Sequence, residues 1–232
     1  MNGQIGVETK SLVKSFAYEN TTVLTYTIHY PHFASALYPV TAQMINAYYR
    51  NRANHLARRI ALEMYPQAVE GYRDSVEQGY PFNEYQVFRT FEVTYAQMCL
   101  ASLYLDLYQY TGGAHGTTVR SSDTWDLSRA ERLALRAAFP GNPDYRADLI
   151  AAVQGEIRQN SDLYFENAVQ LAEETFDENS FYLTPDAVVI YYQQYDIAPY
   201  AFGIPQFRIP YGTYGATLPR CSPYNRSPRA RK

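Results

Sequence analysis

The stretch YQYTGGAHGTT, residues 108–118, concentrates the residue types in this chain that could do chemistry. Imidazole as a side-chain type suits general-base work or ligand binding, which makes His115 the first candidate. Gly112, Gly113 and Gly116 around it would let a substrate or another backbone approach closely. Base catalysis also needs a nucleophile or an orienting carboxylate within hydrogen-bond reach. Asp123 and Asp126 are the acids that a hydrolase built on His115 would use, and neither stands at a recognisable spacing from it. The structural reading is simpler. Gly112 and Gly113 supply positive φ for a tight strand connection, and His115 hydrogen-bonds the loop's own carbonyls. On this reading Tyr110, Thr111, Gly112, Gly113, His115 and Gly116 form a recognition loop rather than a catalytic one.

Other reactive side chains are scattered. His29 and His32 lie three apart with Pro31 between them at a strand end, so they diverge, whereas zinc requires three or four convergent ligands. His55 stands within a run of helical arginines. Glu173, Glu174, Asp177 and Glu178 lack the alternating Asp/Asn/Gly spacing of a calcium loop. Gly112-Gly113 has neither the Walker pattern nor a following helix to cradle a phosphate. No GxSxG, HExxH or Cys/His pair is present. The expectation is no metal and no cofactor. Cys99 and Cys221 are the only cysteines. They pair only if the tail folds back, and their spacing leaves that open.

These residues need elements to hold them. Residues 11–33 alternate on both sides of Glu19-Asn20 and read as a hairpin, with Leu24, Tyr26, Ile28 and Tyr30 on one face. From Pro39 to Glu63 the period becomes helical, with Val40, Met44, Tyr48, Leu56 and Ile60 on one stripe. Pro66 marks a stop or kink before a second helical stretch ending at Gly79. Two strands follow. The second carries Leu103, Leu105 and Leu107 on one face and Tyr104, Tyr108 and Tyr110 on the other. A further strand, GTTVRSSDTWDL, leads to Ser128, whose spacing to Glu131 predicts a capping box for a helix over 128–139. Helices are expected from Asn142-Pro143 to about Phe176, then strands turning at Pro185-Asp186. Strands first, helices in blocks and strands last indicate an α+β fold, an antiparallel sheet with helices packed on it. Two subdomains are expected, 1–80 and 81–217, with a basic tail over 218–232.

Composition bounds the function. The chain of 232 residues is 47% hydrophobic and carries 24 tyrosines, more hydroxyls than a core can satisfy, so some must face solvent or a partner. Tyr104, Tyr108, Tyr191, Tyr192 and Tyr195 are the candidate aromatic surface. The tail from Leu218 holds Arg220, Arg226, Arg229, Arg231 and Lys232 and no acid; taking those five charges from a total of −3 leaves −8 on the body. An acidic body argues against a nucleic-acid face on the folded part. No window approaches a membrane span, and the start has no leader pattern.

Three quoted stretches carry a resemblance: YTGGAHGTT, then DTWDLSRAERLALRAAFP, then FYLTPDAVVIYYQQYDIAPYAFGIPQFRIPY. Together they resemble the bacterial domain-of-unknown-function family 3298. Upstream, YTIHYPHF to NAYYRNRANHLARRI, with FEVTYAQMCLASLYLDL, is similar to its frequent companion family 4163, to about residue 107. The resemblance implies a non-catalytic module of the kind found outside the cell in lysozyme-sensing anti-sigma factors and beside the catalytic domain of some peptidoglycan deacetylases. It therefore implies an extracytoplasmic setting and direct binding of lysozyme or another basic protein. The sequence departs from the sensor in having no transmembrane helix and no sigma-binding segment, and from the enzymes in having no deacetylase domain. A cell-wall glycan-binding module is the alternative, and a hydrolase using His115 is the weakest reading.

Overall fold

The computed structural model describes residues 3–221; most of the expected basic tail, residues 222–232, lies outside the described residues. The alternating opening folds into β1 (Ile5–Tyr18) and β2 (Thr21–Ser35). They turn at Glu19-Asn20, where φ is 47° and 64°. Two consecutive positive φ values match the twist of a two-residue hairpin. Leu24, Tyr26 and Ile28 face inward as their spacing requires.

The helical stretch becomes α1 (Pro39–Arg59), a π turn at Ile60–Met64 and α2 (Tyr65–Gln78). Pro66 accounts for the π turn: it has no N–H to give the carbonyl of Leu62, and the Tyr65 N–H reaches back five residues to the Ile60 carbonyl. Gly79, at φ 74°, ends the run. The buried stripe differs from the expected one. Ala42, Ile45, Tyr49, Ala53 and Ile60 face the sheet, while Val40 and Met44 are exposed. Small Ala42 and Ala53 let the helix lie close to the strands, and the Asn46 amide pins it there through both backbone groups of Phe33.

After α2 the chain returns as β3 (Tyr85–Gln97), parallel to β2, followed by β4 (Leu100–Tyr110), β5 (Thr117–Asp126) and β6 (Glu131–Arg132). The six strands stand in chain order in one sheet, antiparallel except at the β2–β3 pair that the helices bridge. The expected boundary at 80 therefore falls within one sheet, whose strands come from both sides of it. The predicted helix at 128–139 is also corrected. The Ser128 hydroxyl and N–H both donate to the Asp126 carboxylate, Ala130 takes φ 59°, and the chain folds back to pair with Trp125 and Asp126. Of that helix only a 3-10 turn, Leu135–Ala138, forms.

Helices α3 (Tyr145–Gln159) and α4 (Ala168–Glu174) precede a second sheet of β7 (Phe181–Leu183), β8 (Ala187–Tyr191) and β9 (Gln206–Pro210). The apolar run of β8 is buried throughout. One face of this sheet packs on α3 and α4, and the other meets the β3–β5 end of the large sheet. There the buried Ser102 hydroxyl accepts from the Leu183 N–H and bonds Thr124, and the Tyr104 and Tyr182 rings lie 5.2 Å apart. The fold is α+β with two sheets. No helix among the described residues is long and apolar enough to cross a membrane.

Cys99, between β3 and β4, is bonded to Cys221, their Cα atoms 5.7 Å apart across 122 residues of chain. The bridge staples the end of the second unit to the turn between the two central strands of the first. Replacing both cysteines by alanine should lower unfolding stability by about 2–5 kcal/mol, because a loop of this length loses much chain entropy on closure. Denaturant unfolding of oxidised wild type against the double variant checks this, and equal midpoints would contradict it.

The glycine turn gives a second test. A Cβ on Gly116 would stand 2.6 Å from the Gln109 carbonyl oxygen and closer still to the Tyr108 ring, whereas one on Gly113 meets nothing. Gly116→Ala should cost about 1–3 kcal/mol by forced displacement of β4, and Gly113→Ala within about 0.5 kcal/mol of wild type. Thermal melts of the two variants should separate clearly.

Candidate functional site

The turn between β4 and β5 needs its glycines for different reasons. Gly112 holds φ 85°, left-handed as expected, and its carbonyl accepts from the Asn83 amide. Gly113 is not left-handed, so the expectation of two such glycines is corrected, and close packing makes the demand at Gly116 instead. Tyr110 and Thr111 stand at the root of the turn.

His115 is exposed. Its Nδ1 lies 3.1 Å from the Gly116 carbonyl oxygen, in position to donate to it. Its ring stacks on Tyr200 at 4.0 Å between centroids and 25° between planes. Tyr200 in turn lies 5.9 Å from Tyr195, at 35°, and Tyr195 is 49% exposed. Three rings from two distant stretches thus form one surface strip. The carboxylates a hydrolase would need are engaged elsewhere. Asp123 holds Tyr49, Arg52 and Arg132, and Asp126 holds Ser128 and Arg129.

The remaining candidate tyrosines part company. Tyr191 and Tyr192 are 3% and 2% exposed, which removes them from any aromatic surface. Tyr191 ends β8 and Tyr192 follows it inside the molecule, where the Tyr192 hydroxyl donates to the Ala172 carbonyl. Tyr104 is covered by the Arg120 guanidinium, 3.7 Å above its ring, and its hydroxyl donates to Glu92. Tyr108 packs beside Phe88 and over Gly116. His29 bonds Ser11, and among the described residues no three His, Cys, Asp or Glu side chains converge for a metal.

A second feature escaped the sequence. A polar cleft of about 390 Å³ straddles the edge of β5, between the α1 side and the second sheet, and Arg52, Arg120, Ser122, Asp123, Arg132 and Gln193 contribute to its lining. Asp123 anchors it. Its side chain is 2% exposed and accepts from Tyr49 Oη at 2.9 Å, Arg132 Nη1 at 3.0 Å and Arg52 Nη1 at 3.5 Å. Burial first, and then the charge of Asp123, push the Tyr49 phenol well above its usual range, so it remains a donor. Both arginines also flank the Tyr48 ring, at 5.5 and 5.7 Å from its centre. On the opposite wall Arg120 makes two 2.7 Å bonds to Asp106. Nothing in the spacing of Arg52, Arg120 and Arg132 announces this group, because only the fold brings α1, β5 and β6 together.

Residues 139–212 match the family described as a protein of unknown function, DUF3298, and residues 18–118 match the family of the deacetylase PdaC. Over 110 residues the chain is 29% identical to the peptidoglycan-N-acetylmuramic acid deacetylase PdaC of Bacillus subtilis. A DUF3298 family member from Bacteroides fragilis has the same fold, with TM-score 0.66, 20% identity, and 94% of this chain and 96% of that one covered. A DUF3298 family protein from Pseudomonas aeruginosa aligns at TM-score 0.54 and 21% identity over 92% and 95% of the two chains. The match to the Bacillus enzyme takes in 46% of this chain and 23% of the enzyme, so the chain spans about a quarter of that relative's length.

Proposed function

We propose that this chain is a non-catalytic recognition module of the bacterial cell envelope that holds peptidoglycan glycan on the ring strip His115, Tyr200 and Tyr195. The observation that carries the reading is where the strip forms. His115 comes from the segment matched to the PdaC family and the two tyrosines from the segment matched to DUF3298, so the strip exists only when both halves are folded together. Aromatic faces suit the apolar faces of sugar rings, and the neighbouring hydroxyls suit their rims. The PdaC relative is named for action on peptidoglycan, which supplies the glycan class. The Cys99–Cys221 bond fits an oxidising compartment outside the cytoplasm.

A basic protein such as lysozyme is the second reading, favoured by the charge of −8 on the body, which would steer a cationic partner. Titration separates the two. Purified peptidoglycan should retain the protein in a pull-down, with retention little changed by salt. Tyr200→Ala, which leaves His115 without its stacking partner, should weaken retention about 2–10-fold, the scale of one aromatic contact. Retention lost in moderate salt, together with calorimetric heat on mixing with lysozyme, would favour the protein partner. Neither retention nor heat would remove both readings.

A further inference from the structure

The open edge of β5 carries a second site. In its register with β4, alternate residues turn their N–H and C=O groups away from the sheet interior toward the edge. Two of these are capped by side chains of the second unit. Gln194 accepts from the Thr118 N–H at 2.7 Å, and Gln193 clamps Arg120, accepting from its N–H and donating to its carbonyl, both at 2.9 Å. Gln193 is itself fixed, since its N–H donates to Asp196 at 2.7 Å. Further along, the Leu133 N–H donates to the Thr124 carbonyl at 2.7 Å. The residue between these caps is Ser122. Its hydroxyl bonds Asn179 and Tyr191, but among the described residues nothing takes up its edge-facing N–H and C=O. Both edge-facing backbone groups of Ser122 therefore stand unpaired inside the polar cleft.

Beside that gap stand two cations with donors to offer. Arg52 and Arg132 each use Nη1 alone on Asp123 and Tyr48, and among the described residues Nε and Nη2 of both take no hydrogen bond. Their side chains are 40% and 55% exposed. One carboxylate cannot neutralise two guanidiniums, so this wall keeps a positive charge on an otherwise acidic body. Arg120 also lines the cleft; its side chain is 7% exposed, and among the described residues its buried Nη1 has no partner. Planar guanidiniums with free forks recognise carboxylates, and an unpaired strand edge recognises a peptide group.

We propose that the cleft binds the carboxylate end of an extended peptide, pairing one peptide unit with Ser122 and the terminal carboxylate with Arg52 and Arg132. The caps on either side limit the paired length to about two residues, which suits a volume of about 390 Å³. This site is separate from the ring strip and does not rest on it. Either a protein C-terminus or a cell-wall stem peptide offers this chemistry, and the stereochemistry of the probe tells them apart.

The test follows amide shifts of the isotope-labelled full chain during titration with N-acetyl-Ala-Ala, in the L,L and D,D forms, each as free acid and as C-terminal amide. The free acid of one form should shift the amides of Ser122 to Thr124 saturably, and its amide should bind about tenfold more weakly or worse, the loss of a charge-assisted pair. Preference for L,L points to a protein terminus and preference for D,D to a stem peptide. Arg132→Gln, at an exposed position, should reproduce the loss with acid ligand, while Tyr200→Ala should leave peptide binding unchanged. Equal binding of acid and amide, shifts confined to other strands, or no saturable shift at tens of millimolar peptide would overturn the proposal. The acid-against-amide comparison needs no variant, so it decides even if Arg132→Gln is poorly folded.

Discussion

One buried carboxylate holds three elements in place. Asp123 faces the helix side of β5, where an unpaired charge would be costly, and its oxygens accept from three donors: Tyr49 and Arg52 on α1, and Arg132 on β6. Trp125, two residues on along the same face, donates through its indole N–H to the Tyr49 hydroxyl. The knot is both packing and electrostatics. Tyr49 is fully buried and the Trp125 and Tyr48 rings lean on it, so the position of α1 over the sheet and the aim of both arginines come from the same few contacts. The short β6 stays beside β5 partly because Arg132 reaches Asp123 across it. Without that, the edge of β5 would lie open further toward Asp126.

The other face of β5 depends on a different economy of polar groups. Ser102 and Thr124 are buried side by side between the two sheets, and each would be a liability alone. Together with the Leu183 N–H they form a closed set, which fixes β7 against β4 in one register. Further along, Gln193 and Gln194 replace a missing strand by hydrogen-bonding β5 through their side chains. An exposed edge invites uncontrolled pairing, and the second unit covers most of it. What remains uncovered at Ser122 is small, framed and charged at one end, unlike an edge left open along its length.

The sequence showed what local periodicity can show. The hairpin at Glu19-Asn20, the helical run to Gly79, the Leu/Tyr alternation of β4 and the α+β order of blocks all rest on spacing between near neighbours. The failures share a cause. Val40 and Met44 look like a buried stripe, but the sheet selected the line one or two residues over, where alanines permit close approach. Ser128 and Glu131 have capping-box spacing, but Asp126 captured the Ser128 hydroxyl and the chain turned back into a strand pair. Tyr191 and Tyr192 look like surface aromatics until β8 is found buried on both faces. The first and third rest on contacts distant in sequence, and the second on a competing contact two residues back together with the strand pairing it permits; each outweighed a local preference of about 1 kcal/mol or less.

The candidate site was half legible for the same reason. His115 and its glycines stand together in the chain, so their turn could be read, and Gly112 does take the left-handed angle. Tyr195 could be named as an aromatic surface residue, but nothing in the sequence joins it to His115; Tyr200, 85 positions away from His115, makes that link only in the folded chain. The arginine wall is less visible still. Arg52 reads as a solvated helix position, Arg120 as one charge in a strand and Arg132 as part of an expected helix. A strand edge becomes a candidate recognition surface only when its neighbours are known, because the vacancy at Ser122 is defined by what caps Arg120 and Thr124 on either side.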